Sequence, residues 1–83
     1  MEQNWHVYIL QCADGTLYTG ITNDLDRRLK AHNAGTANKY TQVRRPVTMV
    51  YQENADTKGA ALRRELQIKS MSRQQKMALF NNK

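Results

Sequence analysis

The chain has 83 residues, of which 40% are hydrophobic, and a net charge of +6 from 13 lysines and arginines against 7 acidic residues. We expect one small domain over residues 1–83, which excludes a multidomain enzyme with its own substrate-selection module. No run of about 18 apolar residues is present, the N-terminus does not resemble a signal peptide, and the single cysteine, Cys12, can form neither an intrachain disulfide nor a metal cluster. These features predict a cytoplasmic protein without a membrane segment. A domain this basic commonly binds DNA or RNA, although a soluble domain that is basic by chance is almost as good an interpretation.

The first predicted element is a β-hairpin. Residues 5–12 are rich in aromatic and β-branched types, which are typical of a strand. Ala13-Asp14-Gly15 is a turn signal, and residues 16–21 form the returning strand.

The register of this hairpin decides where its tyrosines lie. A two-residue turn at Asp14-Gly15 would put Tyr8 and Tyr18 on opposite faces. A three-residue loop at 13–15 would pair Tyr8 with Gly20 instead. Both tyrosines would then share one face, and Gly20 would leave room for a ligand. Two strand aromatics that pack a core are the simpler alternative.

A helix, a loop and a third strand follow the hairpin. Asn23 is the expected N-cap of a helix that runs to about Ala34, where Gly35 ends it. The polar and basic residues 36–45 predict a surface loop. The apolar stretch 46–51, which opens on a proline, predicts the third strand.

Two more helices complete the chain. The first lies near 57–70 and is capped by Asp56 or Thr57. A capping-box spacing that begins at Ser72 predicts the second, over 73–80. The order β-β-α-β-α-α indicates an α+β fold in which helices pack on a small antiparallel sheet.

Glu65 occupies an unusual position in the helix near 57–70. The apolar arc of this helix consists of Ala61, Leu62, Leu66 and Ile68. Glu65 falls near the middle of that arc, where a carboxylate is costly unless a metal ion or a buried cation compensates it. An ordinary ion pair with Lys69, four residues further on, is the alternative.

The first helix carries a cation and a titratable ring on one line. Leu25 and Leu29 mark its buried stripe, and Arg28 and His32 lie along one margin of that stripe, four residues apart. The simpler alternatives are an ion pair of Arg28 with Asp24 and a partly buried histidine with a satisfied hydrogen bond.

These features together carry a family signature. In chain order its members are Val7-Tyr8-Ile9, Tyr18-Thr19-Gly20, Arg28, His32 and Glu65. The set resembles the GIY-YIG nuclease domain over about Trp5 to Lys76, with Val7 standing for the first glycine and Thr19 for the middle isoleucine. The stretch 17–22 and the stretch 58–65 are similar to the small stand-alone branch called UPF0213 or YhbQ-like.

The resemblance implies a three-stranded antiparallel sheet flanked by helices, with both tyrosines in one pocket. It also implies metal-dependent cleavage of a phosphodiester bond in DNA. Glu65 would then hold Mg²⁺ or Mn²⁺, and Arg28 would stabilise the charge that develops on the phosphate. Tyr8 would orient or deprotonate the attacking water with Tyr18 as its hydrogen-bond partner, and His32 would accept the proton or fix the tyrosine.

Further residues are expected to contact DNA, although each of them alone is more typical of a solvated surface. This set comprises Gly20, Lys39, Tyr40, Arg44, Arg45, Arg63, Arg64 and Lys69, with additional charge from Arg73 and Lys76. We expect a monomer that is nucleoid-associated when bound to DNA. Its target would be chosen by the shape of the DNA or by a protein partner, in DNA repair or recombination.

Two other function classes remain open at this point. Met77 lies about a dozen residues after Glu65, where nuclease members often have an asparagine. This difference favours a catalytically weak DNA- or RNA-binding module that keeps the fold. A protein-interaction adaptor, whose charge serves only solubility, is the third alternative.

Overall fold

The computed structural model describes residues 4–81. In this range the elements are β1 (Trp5–Gln11), β2 (Leu17–Thr22), α1 (Leu25–Ala34), α2 (Lys39–Gln42), β3 (Thr48–Ala55), α3 (Lys58–Lys69) and α4 (Arg73–Phe80). The predicted α+β fold is confirmed, and so is the predicted order of its strands and main helices. No helix between residues 4 and 81 is long and apolar enough to cross a bilayer.

The three strands form one antiparallel sheet in the order β2-β1-β3. In the hairpin, Tyr8 lies opposite Gly20 and Leu10 lies opposite Tyr18. This is the register of the three-residue loop, and Gly15 supplies the left-handed backbone conformation that such a loop needs, with a φ of 85°. Tyr8 and Tyr18 therefore share one face of the sheet.

Two apolar clusters lie on the two faces of the sheet, because alternate side chains of the central strand β1 point in opposite directions. One cluster contains Val7, Ile9, Ala61 and Ile68, which joins α3 to the sheet. The other contains Tyr8, Leu10, Cys12 and Val47, with Leu25 and Leu29 of α1 packed against it. The face that carries the tyrosines is thus covered by α1.

Polar side chains cap the helices. Asp24 caps α1 by accepting a backbone N–H of its first turn at 3.1 Å, so the expectation that Asn23 would be the cap is wrong. Gly35 ends α1 in the left-handed conformation, as predicted. Thr57 caps α3, and the capping box that begins at Ser72 caps α4.

Two elements differ in extent from the sequence-based expectation. The strand β3 continues past Tyr51 to Ala55, because its polar end still pairs with β1, where Trp5 lies opposite Ala55. The segment 36–45 is not entirely a loop, since its middle forms the single turn of α2.

The buried face of α3 also differs from the predicted arc. Ala61 and Ile68 are fully buried, whereas Leu62 and Leu66 are 42% and 66% exposed. The small side chain of Ala61 lets the helix approach the sheet closely. Leu62 lies about 110° and Leu66 about 150° around the helix from this line of contact, so both side chains point outward.

Candidate active site

A buried pair formed by Tyr8 and His32 lies at the centre of the site. The central strand directs Tyr8 toward α1, whose last turn carries His32, and the hydroxyl oxygen of Tyr8 lies 2.8 Å from Nε2 of His32. Both side chains are fully buried. Burial, assisted by the charge of Arg28, lowers the pKa of His32 to about 4. The imidazole is therefore neutral near pH 7.

Two residues of the α2 segment extend this pair into a network. Nδ1 of His32 lies 2.8 Å from the hydroxyl oxygen of Thr41. Asn38 accepts the backbone N–H of Thr41 at 2.9 Å and donates through its Nδ2 to the hydroxyl of Tyr18, also at 2.9 Å. The two tyrosines are thus connected through α2.

Thr41 and Asn38 were not among the residues predicted for the site. The sequence predicts a loop for the segment that contains them, so neither residue is expected to have a buried partner. The Asn-x-x-Thr spacing of a one-turn helix with an asparagine N-cap was the available signal, because it turns Thr41 inward beneath Asn38.

Tyr18 and Gly20 complete the face of the hairpin. The ring centroid of Tyr18 lies 5.3 Å from that of His32 and 6.5 Å from that of Tyr8. A Cβ atom added to Gly20 would lie 2.5 Å from the hydroxyl oxygen of Tyr8. The space above Gly20 is therefore filled by Tyr8 itself, and the expectation that it would be left open for a ligand is wrong.

Arg28 brings a positive charge to the same place. Burial raises the pKa of Tyr8 above its usual value, and hydrogen bonding to Arg28 opposes that rise. Nε of Arg28 is buried without a hydrogen-bond partner among residues 4–81. The carboxylate of Asp24 caps α1 instead of pairing with Arg28. A buried guanidinium N–H in this state retains its capacity to donate to an anionic oxygen.

Glu65 lies at the edge of the buried face of α3. Its side chain is 15% exposed, and its Oε2 lies 3.3 Å from Nζ of Lys69, so the simpler ion pair is present. The same carboxylate is close enough to Tyr8 to contribute to the rise of the Tyr8 pKa, after burial and the charge of Tyr18.

The donor set at Glu65 is compatible with one hard divalent cation. No group of three or more histidine, cysteine, aspartate or glutamate side chains able to hold a metal ion occurs in the described part of the chain. A metal ion at Glu65 would therefore take its other ligands from water and substrate oxygens, and Mg²⁺ is commonly bound in that way.

A stack of side chains leads from this centre to the surface. The ring of Tyr40, 38% exposed on α2, lies 5.8 Å from the ring of Tyr18. The guanidinium carbon of Arg44 lies 3.9 Å from the centroid of Tyr40. Asp14 fixes Arg44 through an ion pair of 3.2 Å, and Lys39 is exposed beside this stack.

The remaining cations predicted to bind DNA differ in whether an intramolecular hydrogen bond or ion pair already engages them. Nε of Arg45 donates to the carbonyl of Gln42 at 2.9 Å. Arg64 pairs with Glu53 at 2.9 Å. Lys69 pairs with Glu65, whereas Arg63 is exposed.

The sequence matches the model of a known family. A family model described as the GIY-YIG catalytic domain matches residues 4–78. The chain belongs to the GIY-YIG family. GIY-YIG domains characterise a family of nucleases. In this GIY-YIG protein Tyr8, Tyr18, Arg28 and His32 lie in one cluster, in which Tyr8 and His32 are buried and Tyr18 and Arg28 are half-buried.

Relatives assign the protein to the UPF0213 branch of that family. A UPF0213 protein of Halobacterium salinarum is 55% identical over 75 residues, which is 90% of this chain and 97% of the relative. A UPF0213 protein of Staphylococcus saprophyticus is 51% identical over 76 residues, which is 92% of this chain and 93% of the relative. These names state no activity.

Two solved structures are similar to the whole described fold. The solution NMR structure of a UPF0213 protein from Bacillus halodurans superposes with a TM-score of 0.61 at 44% identity, covering 96% of this chain and 85% of that one. A protein from E. faecalis, also solved by NMR, gives a TM-score of 0.62 at 38% identity, covering 95% and 88% of the two chains.

Proposed function

We propose that this GIY-YIG protein hydrolyses a phosphodiester bond in DNA with the help of a divalent metal ion. The observation that carries the proposal is the buried Arg28 Nε–H without a partner, next to the hydroxyl of Tyr8. A phosphate oxygen is a natural acceptor for such a donor, because guanidinium groups bind phosphate with strong charge-assisted hydrogen bonds. The negative charge that develops on the phosphate during hydrolysis strengthens the same interaction.

The proton movements involve Tyr8 and His32. A water molecule beside the hydroxyl of Tyr8 gives up a proton to that oxygen, while Tyr8 passes its own proton to Nε2 of His32. The oxygen of the water forms a bond to phosphorus, the bond from phosphorus to the leaving oxygen breaks, and the leaving oxygen takes a proton from solvent. Because the charge of Arg28 helps to keep the pKa of His32 low, a phosphate bound to Arg28 would make His32 a better proton acceptor.

The metal ion, Mg²⁺ or Mn²⁺, would be held by Glu65. It would supply further neutralisation of charge at the phosphate oxygens. Lys69 would have to release the Glu65 carboxylate when the ion binds, and its freed ammonium group would then be available to the DNA backbone.

The substrate class that we propose is branched or otherwise irregular DNA, of the kind produced in repair or recombination. The support is the surface beside Tyr18, where the stack of Tyr40 and Arg44 and the exposed side chain of Lys39 would contact phosphates and unpaired bases. The exposed Arg63 of α3 is a further cation. Contacts of this kind distinguish the shape of DNA more readily than its sequence. We therefore expect a single-domain protein that acts at the bacterial or archaeal chromosome in the cytoplasm, as a monomer or with a protein that selects the target.

The test is cleavage of labelled duplex, single-stranded and branched DNA, with Mg²⁺, with Mn²⁺ and with a chelator. We expect metal-dependent cleavage that Glu65→Gln lowers by at least about 100-fold. Glu53→Gln is the matched control, since Glu53 is also an ion-paired carboxylate but pairs with Arg64. Equal cleavage by Glu65→Gln and the wild type would contradict the proposal.

A catalytically weak DNA- or RNA-binding module is the second candidate. It is favoured by the ion pair of Glu65 with Lys69, which occupies the carboxylate, and by Met77, which lies in a groove of α4 with Gln74 and Asn81. This candidate predicts salt-dependent binding without cleavage of any of these substrates, and a gain of cleavage in Met77→Asn.

A further inference from the structure

We propose that Thr41 and Asn38 are positioning residues that fix His32 in the tautomer protonated at Nδ1. Nε2 of His32 is then left free to accept the hydroxyl proton of Tyr8. The tautomer itself follows from the hydrogen bonds of the folded chain, whereas its consequence for the reaction rests on the proposed function.

The orientation of the Asn38 amide is the first step. A backbone N–H can only donate, so the atom that faces the N–H of Thr41 at 2.9 Å is the amide oxygen. The NH₂ group of Asn38 is then directed to the hydroxyl of Tyr18 at 2.9 Å. Both ends of the amide are satisfied in this orientation.

The position of the hydroxyl proton of Thr41 is the second step. The Thr41 hydroxyl oxygen lies 3.1 Å from the amide oxygen of Asn38, and that amide oxygen can only accept. The single proton of the Thr41 hydroxyl must lie in this contact, since two bare oxygen lone pairs would repel each other. Thr41 is fully buried, so no solvent can replace the interaction.

The protonation of His32 is the third step. With its proton committed to Asn38, the hydroxyl oxygen of Thr41 can only accept from Nδ1 of His32, at 2.8 Å. Nδ1 therefore carries the proton of the imidazole. The buried ring is neutral, so Nε2 has a free lone pair and accepts from the hydroxyl of Tyr8 at 2.8 Å.

The consequence for the reaction is the direction of the Tyr8 hydroxyl. When Tyr8 donates to Nε2, the lone pairs of its oxygen point away from His32 and can accept a proton from water. In the other tautomer, Nε2–H would donate to the same oxygen, and the relay from water through Tyr8 to His32 would be blocked. The hydrogen bond from Asn38 to the hydroxyl of Tyr18 also fixes the orientation of the second tyrosine.

The first test measures the tautomer of His32 directly, without DNA. We expect the ¹⁵N chemical shifts of the free protein at pH 7 to show a protonated Nδ1 and an unprotonated Nε2. Thr41→Val keeps the shape of the side chain but removes the acceptor, so it should shift the ring toward the Nε2–H form. Thr41→Ser, which restores the hydroxyl, should return it to the Nδ1–H form.

The second test measures cleavage of DNA by the same proteins. We expect Thr41→Val to lower kcat by at least about 10-fold with little change in KM, and Thr41→Ser to restore it. A wild-type ring protonated at Nε2, or a tautomer that is the same in Thr41→Val and the wild type, would overturn the proposal. The wild-type spectrum alone determines which nitrogen of His32 is protonated, even where a variant fails to fold. A correct tautomer in a protein that cleaves no DNA would overturn the proposed function alone.

Discussion

Gly20 shows how closely one residue of the hairpin is tied to the site. It faces Tyr8 across β1 and β2, and the phenol ring crosses the position that a side chain would take. The hydrogen bond between Tyr8 and His32 prevents the ring from moving aside. A glycine at this position is required by the packing of the protein itself.

Gly20→Ala should therefore be destabilising. The new Cβ would lie 2.5 Å from the hydroxyl oxygen of Tyr8 and 2.7 Å from Cζ, and we expect the free energy of unfolding to fall by about 1–3 kcal/mol. Gly59→Ala is the control in chemical denaturation, because the nearest atom to a Cβ there lies 3.7 Å away and alanine favours a helix. A similar stability of the two variants would contradict this account of Gly20.

His32 should give the protein a pH-dependent stability. Burial lowers its pKa from 6.5 to about 4 in the folded chain, so the unfolded chain takes up the proton first as the pH falls. This contribution to the free energy of unfolding is complete above pH 6.5 and is lost between about 6.5 and 4, by roughly 3 kcal/mol in all. Denaturation curves across this range should show the loss in the wild type and in His6→Gln. They should not show it in His32→Gln.

The sequence allowed the residues of the motif to be predicted but not their supporting partners. Helical spacing places Arg28 at the margin of the buried stripe, whereas the shared face of Tyr8 and Tyr18 depends on the register of the hairpin. Thr41 and Asn38 could not be placed, because their partners are distant in sequence and only the folded chain brings them together. The register of the hairpin was left open by the spacing alone, and the family resemblance selected the correct one.

At the scale of the elements, α3 is the clearest case in which tertiary packing prevails over an amphipathic pattern. The helical wheel groups Leu62 and Leu66 with Ala61 and Ile68, but the helix turns its alanine to the sheet and leaves both leucines outside. A wheel identifies which residues are apolar without showing which part of a broad arc makes the contact.

Alanine substitutions in α3 test this orientation. Ile68→Ala should lower the free energy of unfolding by about 2–4 kcal/mol, because it leaves a cavity in the cluster beneath the sheet. Leu66→Ala should change it by no more than about 0.5 kcal/mol, since its side chain is mostly in solvent. Urea denaturation of both variants is the measurement. Equal losses in the free energy of unfolding would contradict this orientation of α3 and favour the arc predicted from the sequence.

The short helix α2 was missed for a related reason. A single turn over Lys39–Gln42 is not stable as an isolated helix. It forms because Asn38 caps it and because the buried Thr41 is hydrogen-bonded to His32. Local propensity could not reveal an element that exists through its tertiary contacts.

At the scale of the whole molecule, the net charge overstates the number of cations available to a nucleic acid. Arg64 is paired with Glu53, and Arg45 donates to the backbone carbonyls of Gln42 and Asn33. Lys39 and Arg63 are exposed instead. The composition predicted a basic surface, but only the fold separates the charges that hold the chain together from those that face outward.

The salt dependence of DNA binding should reveal this difference. Arg63→Ala should lower the slope of log Kobs against log salt by about 0.9 on duplex DNA, as expected for the loss of one phosphate contact. Arg64→Ala should leave the slope nearly unchanged and reduce thermal stability, because its guanidinium is committed to Glu53. Equal changes of slope in both variants would show that the ion pair opens on binding.

The central position of β1 also determines how the molecule opens. Its backbone is paired on both edges, and its side chains enter both clusters, with Tyr8 on one side and Ile9 on the other. Amide protons of this strand should exchange with solvent only when the whole domain unfolds. The site therefore unfolds together with the core. A cavity made in the cluster of Val7, Ile9, Ala61 and Ile68 would make Tyr8 more mobile, although it would remove no atom in contact with Tyr8.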